Sequence, residues 1–282
     1  MTLRALDDEF RQWAIGQALA GADPDAVLQP LRDAGWDEDE AAVAVQAAVA
    51  DYVEQQSRLA GLPQPVPVPV LDTRGAAVLD AGDRQVQVLA SLALPQVRVL
   101  GGLLSDEECD ALVALAQPRM ARSRTVDSAT GDDVVHPDRT SSGMFFTRGE
   151  NALCARIEAR IAHLLGWPVE NGEGLQMLSY PPGAQYKPHY DYFDPTAAVT
   201  DKVLARGGQR VATVVIYLNT PERGGATTFP DVHFEVAAVK GNAVFFSYDR
   251  AHPMTRTLHA GAPVIAGEKW IATKWLRERR YG

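Results

Sequence analysis

His189 and Asp191 stand two apart in the run Tyr186-Lys-Pro-His-Tyr-Asp191. Side chains alternate along a strand, so residues two apart share a face and can grip one metal ion. A solvent-facing polar pair has the same pattern, so this pair alone says little. His259 follows on the far side of a strand-rich stretch and can return to the same place as a third ligand. Two histidines and one carboxylate occupy one face of an octahedral ion and leave three positions open, the donor set that iron(II) uses when it activates O2. The open positions suit a bidentate co-substrate and O2.

Lys269 comes ten residues after His259, in Gly267-Glu-Lys-Trp-Ile-Ala-Thr-Lys-Trp275. The chain has only five lysines. On a strand, Lys269, Ile271, Thr273 and Trp275 share one face, while Trp270, Ala272 and Lys274 share the other. A buried ammonium needs an anionic partner, and the distal carboxylate of 2-oxoglutarate has that chemistry. A solvated surface position is the alternative for either lysine, and strand parity does not say which of the two turns inward.

Residues 3–57 read as helices that precede these strands. Asp23 caps a helix with Pro24 at its first position, Val27, Leu28 and Leu31 form its apolar stripe, and Gly35 suits its end. Asp37 and Glu40 have capping-box spacing ahead of Ala41, Val45, Ala48, Val49 and Tyr52. Leu3, Leu6, Phe10 and Trp13 indicate an earlier helix. Pro63, Pro65, Pro67 and Pro69 then favour an extended connector. The expected division is a helical appendage over 1–60, a Pro-rich linker over 61–84 and a catalytic domain over 85–282.

From Gln85 the pattern changes. Gln85–Val88 and Gln96–Leu100 alternate with period two. Ser105 and Glu108 form a capping box for a helix through Cys109, Leu112, Val113 and Leu115, and a second helix is predicted near 150–165. Strands are predicted over 174–180, 186–192, 209–219, 233–237, 241–247 and 268–276. Short strands with Gly/Pro turns suggest a sandwich or barrel, with two helices packed on one face. Cys109 and Cys154 sit at apolar helix positions and read as core thiols rather than a disulfide or zinc pair. Gly224 and Gly225 read as a tight turn or bulge. His136, His163, His233 and His252 have no partner spacing and read as surface or local structure.

Hydrophobic residues make up 46% of the 282 positions and charged residues 22%, an ordinary globular balance that excludes a disordered or collagenous chain. The net charge of -9 argues against nucleic acid as a partner. All of it resides in residues 1–96, which hold 15 Asp/Glu against 6 Arg; residues 97–282 balance 21 against 21. An acidic N-terminal part would favour a basic partner, if it recruits one at all. The acidic N-terminus lacks a signal-peptide pattern, and no apolar stretch approaches the ~20 residues that span a bilayer. The expected setting is cytoplasmic, with no membrane partner.

Residues 97–280 resemble the catalytic domain of prolyl 4-hydroxylases, within the Fe(II)/2-oxoglutarate dioxygenase superfamily. The matching stretches are Leu104-Ser-Asp-Glu-Glu-Cys109, Arg139-Thr-Ser-Ser-Gly-Met-Phe145 and Val169-Glu-Asn-Gly-Glu-Gly-Leu-Gln176. They continue through Gln185-Tyr-Lys-Pro-His-Tyr-Asp-Tyr-Phe193, Gly208-Gln-Arg-Val-Ala-Thr213, Gly224-Gly-Ala-Thr-Thr-Phe-Pro230 and the region from His259 to Leu276. The resemblance implies an α+β fold: a double-stranded β-helix, or jelly roll, with supporting helices, preceded here by a small N-terminal helical bundle. It implies His189, Asp191 and His259 as iron ligands and Lys269 as the partner of the 2-oxoglutarate distal carboxylate. Tyr180 and Thr228 match positions flanking the co-substrate; Tyr186, Arg210 and Trp275 match positions near a peptide substrate. The segments 132–137 and 194–207 resemble substrate-covering loops but have this chain's own composition. The implied cofactors are Fe(II), 2-oxoglutarate, O2 and ascorbate as reductant. The implied activity is hydroxylation of prolyl residues in a peptide or protein. Hydroxylation of a free amino acid or other small molecule, and a non-catalytic metal-binding jelly roll for protein interaction, are the alternatives.

Overall fold

Acidic, amide or hydroxyl side chains begin the long helices by accepting from backbone N–H groups that have no partner within the helix. In a computed structural model, which describes residues 5–71, 76–122, 125–126, 133–134, 140–197 and 200–282, these are Asp7, Asp23, Asp37, Ser105 and Asn151. They open α1 (Asp8–Leu19), α2 (Pro24–Asp33), α3 (Glu38–Leu59), α4 (Asp106–Ala116) and α5 (Ala152–Leu165); α6 (Thr200–Leu204) is a short sixth helix. The capping box at Ser105 and Glu108 is formed in both directions. Leu3, residue 132, residues 135–137 with His136, and Arg139 lie outside the described residues.

The chain divides into two compact units, Met1–Gln64 and Pro65–Gly282. In the first, α1, α2 and α3 bury Ala14, Val27, Leu31, Trp36, Ala41 and Val45. Gly35, at φ +78°, makes the turn between α2 and α3 in a conformation that side chains with a Cβ resist.

The second unit is mainly sheet. Its first strands are β1 (Val78–Asp80), β2 (Gln85–Leu92), β3 (Gln96–Gly101), β4 (Ala121–Arg122), β5 (Thr125–Val126), β6 (Asp133–Val134), β7 (Ser142–Phe146), β8 (Leu175–Tyr180) and β9 (Tyr186–His189). The remainder are β10 (Arg210–Tyr217), β11 (Arg223–Gly224), β12 (Thr227–Phe229), β13 (Phe234–Val236), β14 (Ala243–Ser247), β15 (His259–Gly261), β16 (Val264–Ala266) and β17 (Lys269–Arg277). The major sheet runs β1-β2-β3-β14-β10-β17-β8-β7-β4 and the minor sheet β13-β12-β15-β9. Every pairing described is antiparallel. This is the jelly-roll arrangement.

Strand parity explains how one run of apolar residues serves two cores. On β10, Ala212, Val214 and Ile216 join a cluster with Cys109 and Leu112 of α4 and Cys154, Ile157 and Ile161 of α5. Val215 and Tyr217 of the same strand join a second cluster with Phe229 of β12 and Val236 of β13. Both cysteine thiols are buried, and burial pushes each up to about 11, as expected of core residues. Gly224 and Gly225 take positive φ beside a register shift in the β11–β16 pair.

The Pro-rich stretch does not form the linker expected over 61–84. From Pro65 onward it belongs to the second unit: Leu71 is buried in the sheet–helix core, and the Val66 N–H donates to the Asp249 carbonyl at 2.7 Å. Proline costs nothing here, because an extended strap along the surface needs few N–H donors.

Parity also corrects the expectation that one lysine of β17 turns inward. β17 lies inside the major sheet with both faces covered, so Lys269 and Lys274 are both buried. Lys274 faces α5, where its Nζ donates to Glu158 Oε1 at 2.6 Å and to the Glu173 carbonyl. Removing one partner of a buried pair leaves an unpaired charge in a low dielectric, at a cost of about 3–5 kcal/mol. Glu158→Ala is expected to lower the unfolding free energy, read from urea denaturation, by that amount, and Glu158→Ala/Lys274→Met to recover most of it.

Candidate active site

The pocket between the two sheets is built by period-two faces. β8 contributes Gln176, Leu178 and Tyr180, and β17 contributes Lys269, Ile271, Thr273 and Trp275. The pairing of Lys269 with Tyr180, Ile271 with Leu178 and Thr273 with Gln176 makes these one continuous wall. Val215 of β10 continues it, and Tyr186, His189, Thr227 and His259 of the minor sheet face it.

His189 and His259 are register partners across the β9–β15 pair, which sets their rings 4.2 Å apart. Asp191 lies beyond the end of β9, in a bend, rather than on the strand expected to reach 192. The bend still brings its carboxylate in: Oδ1 is 3.6 Å from His189 Nε2 and Oδ2 is 3.6 Å from His259 Nε2. One ligand atom from each of the three residues lies within 4.8 Å of the others.

A second layer decides which atoms face inward. His189 Nδ1 is 2.9 Å from the Lys187 carbonyl and His259 Nδ1 is 3.0 Å from the Thr257 carbonyl. A carbonyl only accepts, so each Nδ1 carries the proton and each Nε2 is left to face Asp191. Burial, reinforced by His189, pulls His259 down to about 4, so its imidazole is neutral at pH 7 despite the opposing pull of Asp191. Burial works against ionisation of Asp191, but His259, His189 and Arg210 outweigh it and hold the carboxyl below its ordinary range. Thr213 Oγ1 donates to Asp191 Oδ2 at 2.7 Å, so the Tyr248 hydroxyl, 3.0 Å from Thr213, must be the donor to it. Lone pairs and a carboxylate that face one another without an intervening proton repel unless a cation lies among them. This donor set fits an octahedral ion with open positions, iron(II) above all.

Lys269 lies on the same pocket wall, 3% exposed. It has no carboxylate partner among the described residues; its Nζ lies 5.5 Å from the Tyr180 ring and 5.8 Å from the Tyr217 ring. Burial alone pulls it down to about 8, which still leaves it mainly protonated at pH 7. An ammonium in that condition fits an anionic ligand, such as a dicarboxylate reaching from the metal.

The other expected site residues divide. Tyr180, Tyr186 and Trp275 line the pocket, with Tyr186 stacked on His189 at 3.7 Å. Thr228 does not: Thr227 lines it, donated to by the Tyr217 hydroxyl at 2.8 Å, and Thr228 is on the opposite strand face. A shift of one residue along a strand reverses the face, and two adjacent threonines offer no cue to choose between them. Arg210 lies outside the pocket wall. It is held in a fork by Glu173 at 2.7 and 3.0 Å, and its guanidinium stacks 3.8 Å from the Trp275 ring. Glu173 also accepts from Arg277 at 2.7 Å and is kept ionised, burial notwithstanding, by the two arginines. Sequence reading passed over Thr213, Thr227, Glu173 and Tyr248. Only Thr213 had a cue, as the one aliphatic hydroxyl in an otherwise apolar run on β10.

Groups that orient metal ligands are worth about 10–100-fold in metal affinity. Thr213→Val is expected to weaken Mn(II) or Fe(II) binding by that factor, and Thr213→Ser to retain it, as read by calorimetric titration.

With this geometry in view, comparison with known proteins is direct. The sequence model of the 2OG-Fe(II) oxygenase superfamily matches residues 175–277. Prolyl 4-hydroxylase 2 of Arabidopsis thaliana is 40% identical over 206 residues, covering 64% of this chain and 67% of that protein. Prolyl 4-hydroxylase 1 of the same plant is 43% identical over 204 residues, covering 66% and 70%. Among solved structures, the viral collagen prolyl hydroxylase of Paramecium Bursaria Chlorella virus-1, in its 2OG complex, is 31% identical with a TM-score of 0.49, covering 64% of this chain and 95% of that one.

Proposed function

Since the chain belongs to the prolyl 4-hydroxylase family of 2OG-Fe(II) oxygenases, we propose that it hydroxylates prolyl residues in a peptide or protein, using Fe(II), 2-oxoglutarate and O2. One observation carries the reading: three metal donors and a buried lysine, with no carboxylate partner among the described residues, face the same pocket between two sheets. The names of its plant relatives support proline as the target. When bound, iron(II) with 2-oxoglutarate and O2 supplies the oxidising power to place a hydroxyl on an unactivated C–H, with succinate and CO2 as co-products. Ascorbate belongs to the same reading, as the reductant that keeps the iron ferrous.

This chain's residues do the positioning. His189, Asp191 and His259 would hold the ion. Thr213 and the two backbone carbonyls keep those ligands in one orientation and one tautomer. Lys269 anchors the far carboxylate of 2-oxoglutarate, with Tyr180 and Thr227 as neighbouring walls. Leu178, Val215 and Ile271 keep the space between dry, which strengthens each electrostatic contact. Tyr186 and Trp275 present aromatic faces where a proline ring enters, and Arg210 braces Trp275 from behind. No side chain needs to act as a general acid or base, because the bond that breaks is C–H.

Incubating the protein with Fe(II), 2-oxoglutarate and proline-containing peptides is expected to yield succinate and a peptide heavier by one oxygen atom, read by mass spectrometry. Turnover of free proline with every peptide unchanged would refute the peptide reading. His189→Ala and Asp191→Ala should each abolish succinate formation.

Lys269→Met should raise the KM for 2-oxoglutarate on the order of 100-fold or more, the size of a buried charge pair lost. The pH dependence has a definite sign. Lys269 in the free enzyme is charged below about 8 and neutral above it. The KM for 2-oxoglutarate should therefore be flat below pH 8 and rise with pH beyond it, and Lys269→Arg should remove the rise.

A further inference from the structure

Beside the metal pocket lies a second cleft of about 760 Å³, bounded by α6, the chain around Phe145–Arg148 and residues Tyr281 and Gly282. Five of its lining side chains are cationic and only one, Glu173, is a carboxylate. That is unexpected in a chain of net charge -9.

The five cations are not equivalent. Arg210 and Arg277 neutralise Glu173, each at 2.7 Å. Arg148 is engaged by the carbonyls of Glu170, Gly172 and Tyr281 at 3.1, 3.1 and 2.9 Å. Lys202 and Arg206 remain. Both are exposed, and neither has a carboxylate partner among the described residues. They stand four apart on α6 and the turn that continues it, so they neighbour one another on one face. The Arg206 guanidinium lies 4.9 Å over the Tyr281 ring, a contact that holds it toward the cleft.

The cleft and the metal pocket meet at Arg210, which lines the one and stacks at 3.8 Å on Trp275, which lines the other. On the prolyl-hydroxylase reading, a peptide whose proline enters the pocket beside Trp275 would carry its next residues along the cleft. The Trp275 Nε1–H is buried without a hydrogen-bond partner among the described residues, which leaves a donor free beside the cleft. We propose that this cleft is a specificity subsite that takes an acidic side chain flanking the target proline, recognised by Lys202 and Arg206. The inference rests on the prolyl-hydroxylase reading above and adds to it the class of sequence that is modified.

The test uses two fluorescein-labelled peptides, identical except that the proline is flanked by glutamates in one and by glutamines in the other. Binding by fluorescence anisotropy and kcat/KM for hydroxylation are both measured. Two exposed ion pairs predict a roughly 2–10-fold preference for the glutamate peptide at low salt, shrinking as salt is added. In Lys202→Glu/Arg206→Glu the preference should invert, and in Lys202→Gln/Arg206→Gln it should vanish. These are ratios within one protein, so partial loss of folded enzyme cancels. Equal binding of the two peptides, or a preference that survives both double variants, would overturn the subsite. If neither peptide is hydroxylated yet the glutamate peptide binds more tightly and the variants abolish that, the subsite stands and the prolyl reading falls.

Discussion

Charge buried away from water must find a partner, and β17 poses that requirement twice. The strand is covered on both faces, by helices on one side and by the minor sheet on the other, yet it carries a lysine toward each. Lys274 meets Glu158 of α5, and the interaction is complete within the chain. Among the described residues, Lys269 meets aromatic rings and aliphatic wall and no carboxylate. The first lysine ties a helix to the sheet. In the proposed function the second holds a cation in place for the 2-oxoglutarate carboxylate. On that reading the same strand carries a structural charge and a functional one, separated by parity alone.

The metal centre obeys the same rule in reverse. Three electron-rich groups are packed together, and a second layer prevents them from relieving the repulsion by turning away. The carbonyls of Lys187 and Thr257 hold the imidazoles by their protonated nitrogens, and Thr213 holds the carboxylate. Tyr248 in turn orients Thr213. Rigidity comes from strands whose hydrogen bonds are already made; the ligand set is therefore organised before any ion arrives. Glu173 plays a comparable part at the mouth, where one buried carboxylate fixes Arg210 and Arg277 and so braces Trp275.

Much of this was legible in the residue order. Alternation along 268–276 correctly grouped Lys269, Ile271, Thr273 and Trp275, because strand parity is a local property of the backbone. Helix caps at Asp23, Asp37 and Ser105 were legible for the same reason: a cap involves residues within one turn. The misreadings share a different cause. Thr228 was preferred to Thr227 because adjacent threonines look alike until the partner strand fixes the face. The prolines of 61–84 read as a linker because nothing in their order reveals that Val66 would find Asp249. Asp191 was placed on a strand that ends two residues before it.

Local order by itself determined the ligand types, the helical and strand periods, the acidic character of the first 96 residues and the neutrality of the rest. Tertiary structure alone decided that His189 and His259 are cross-strand partners, that both lysines of β17 are buried, and that Thr213 rather than a neighbour orients Asp191. It also decided that Lys202 and Arg206 border a cleft beside the pocket rather than a plain stretch of surface. The division has a physical reason. Periodicity and capping depend on bonds made within a few residues. Burial, register and the search of a charge for its partner depend on which distant strands come to lie side by side.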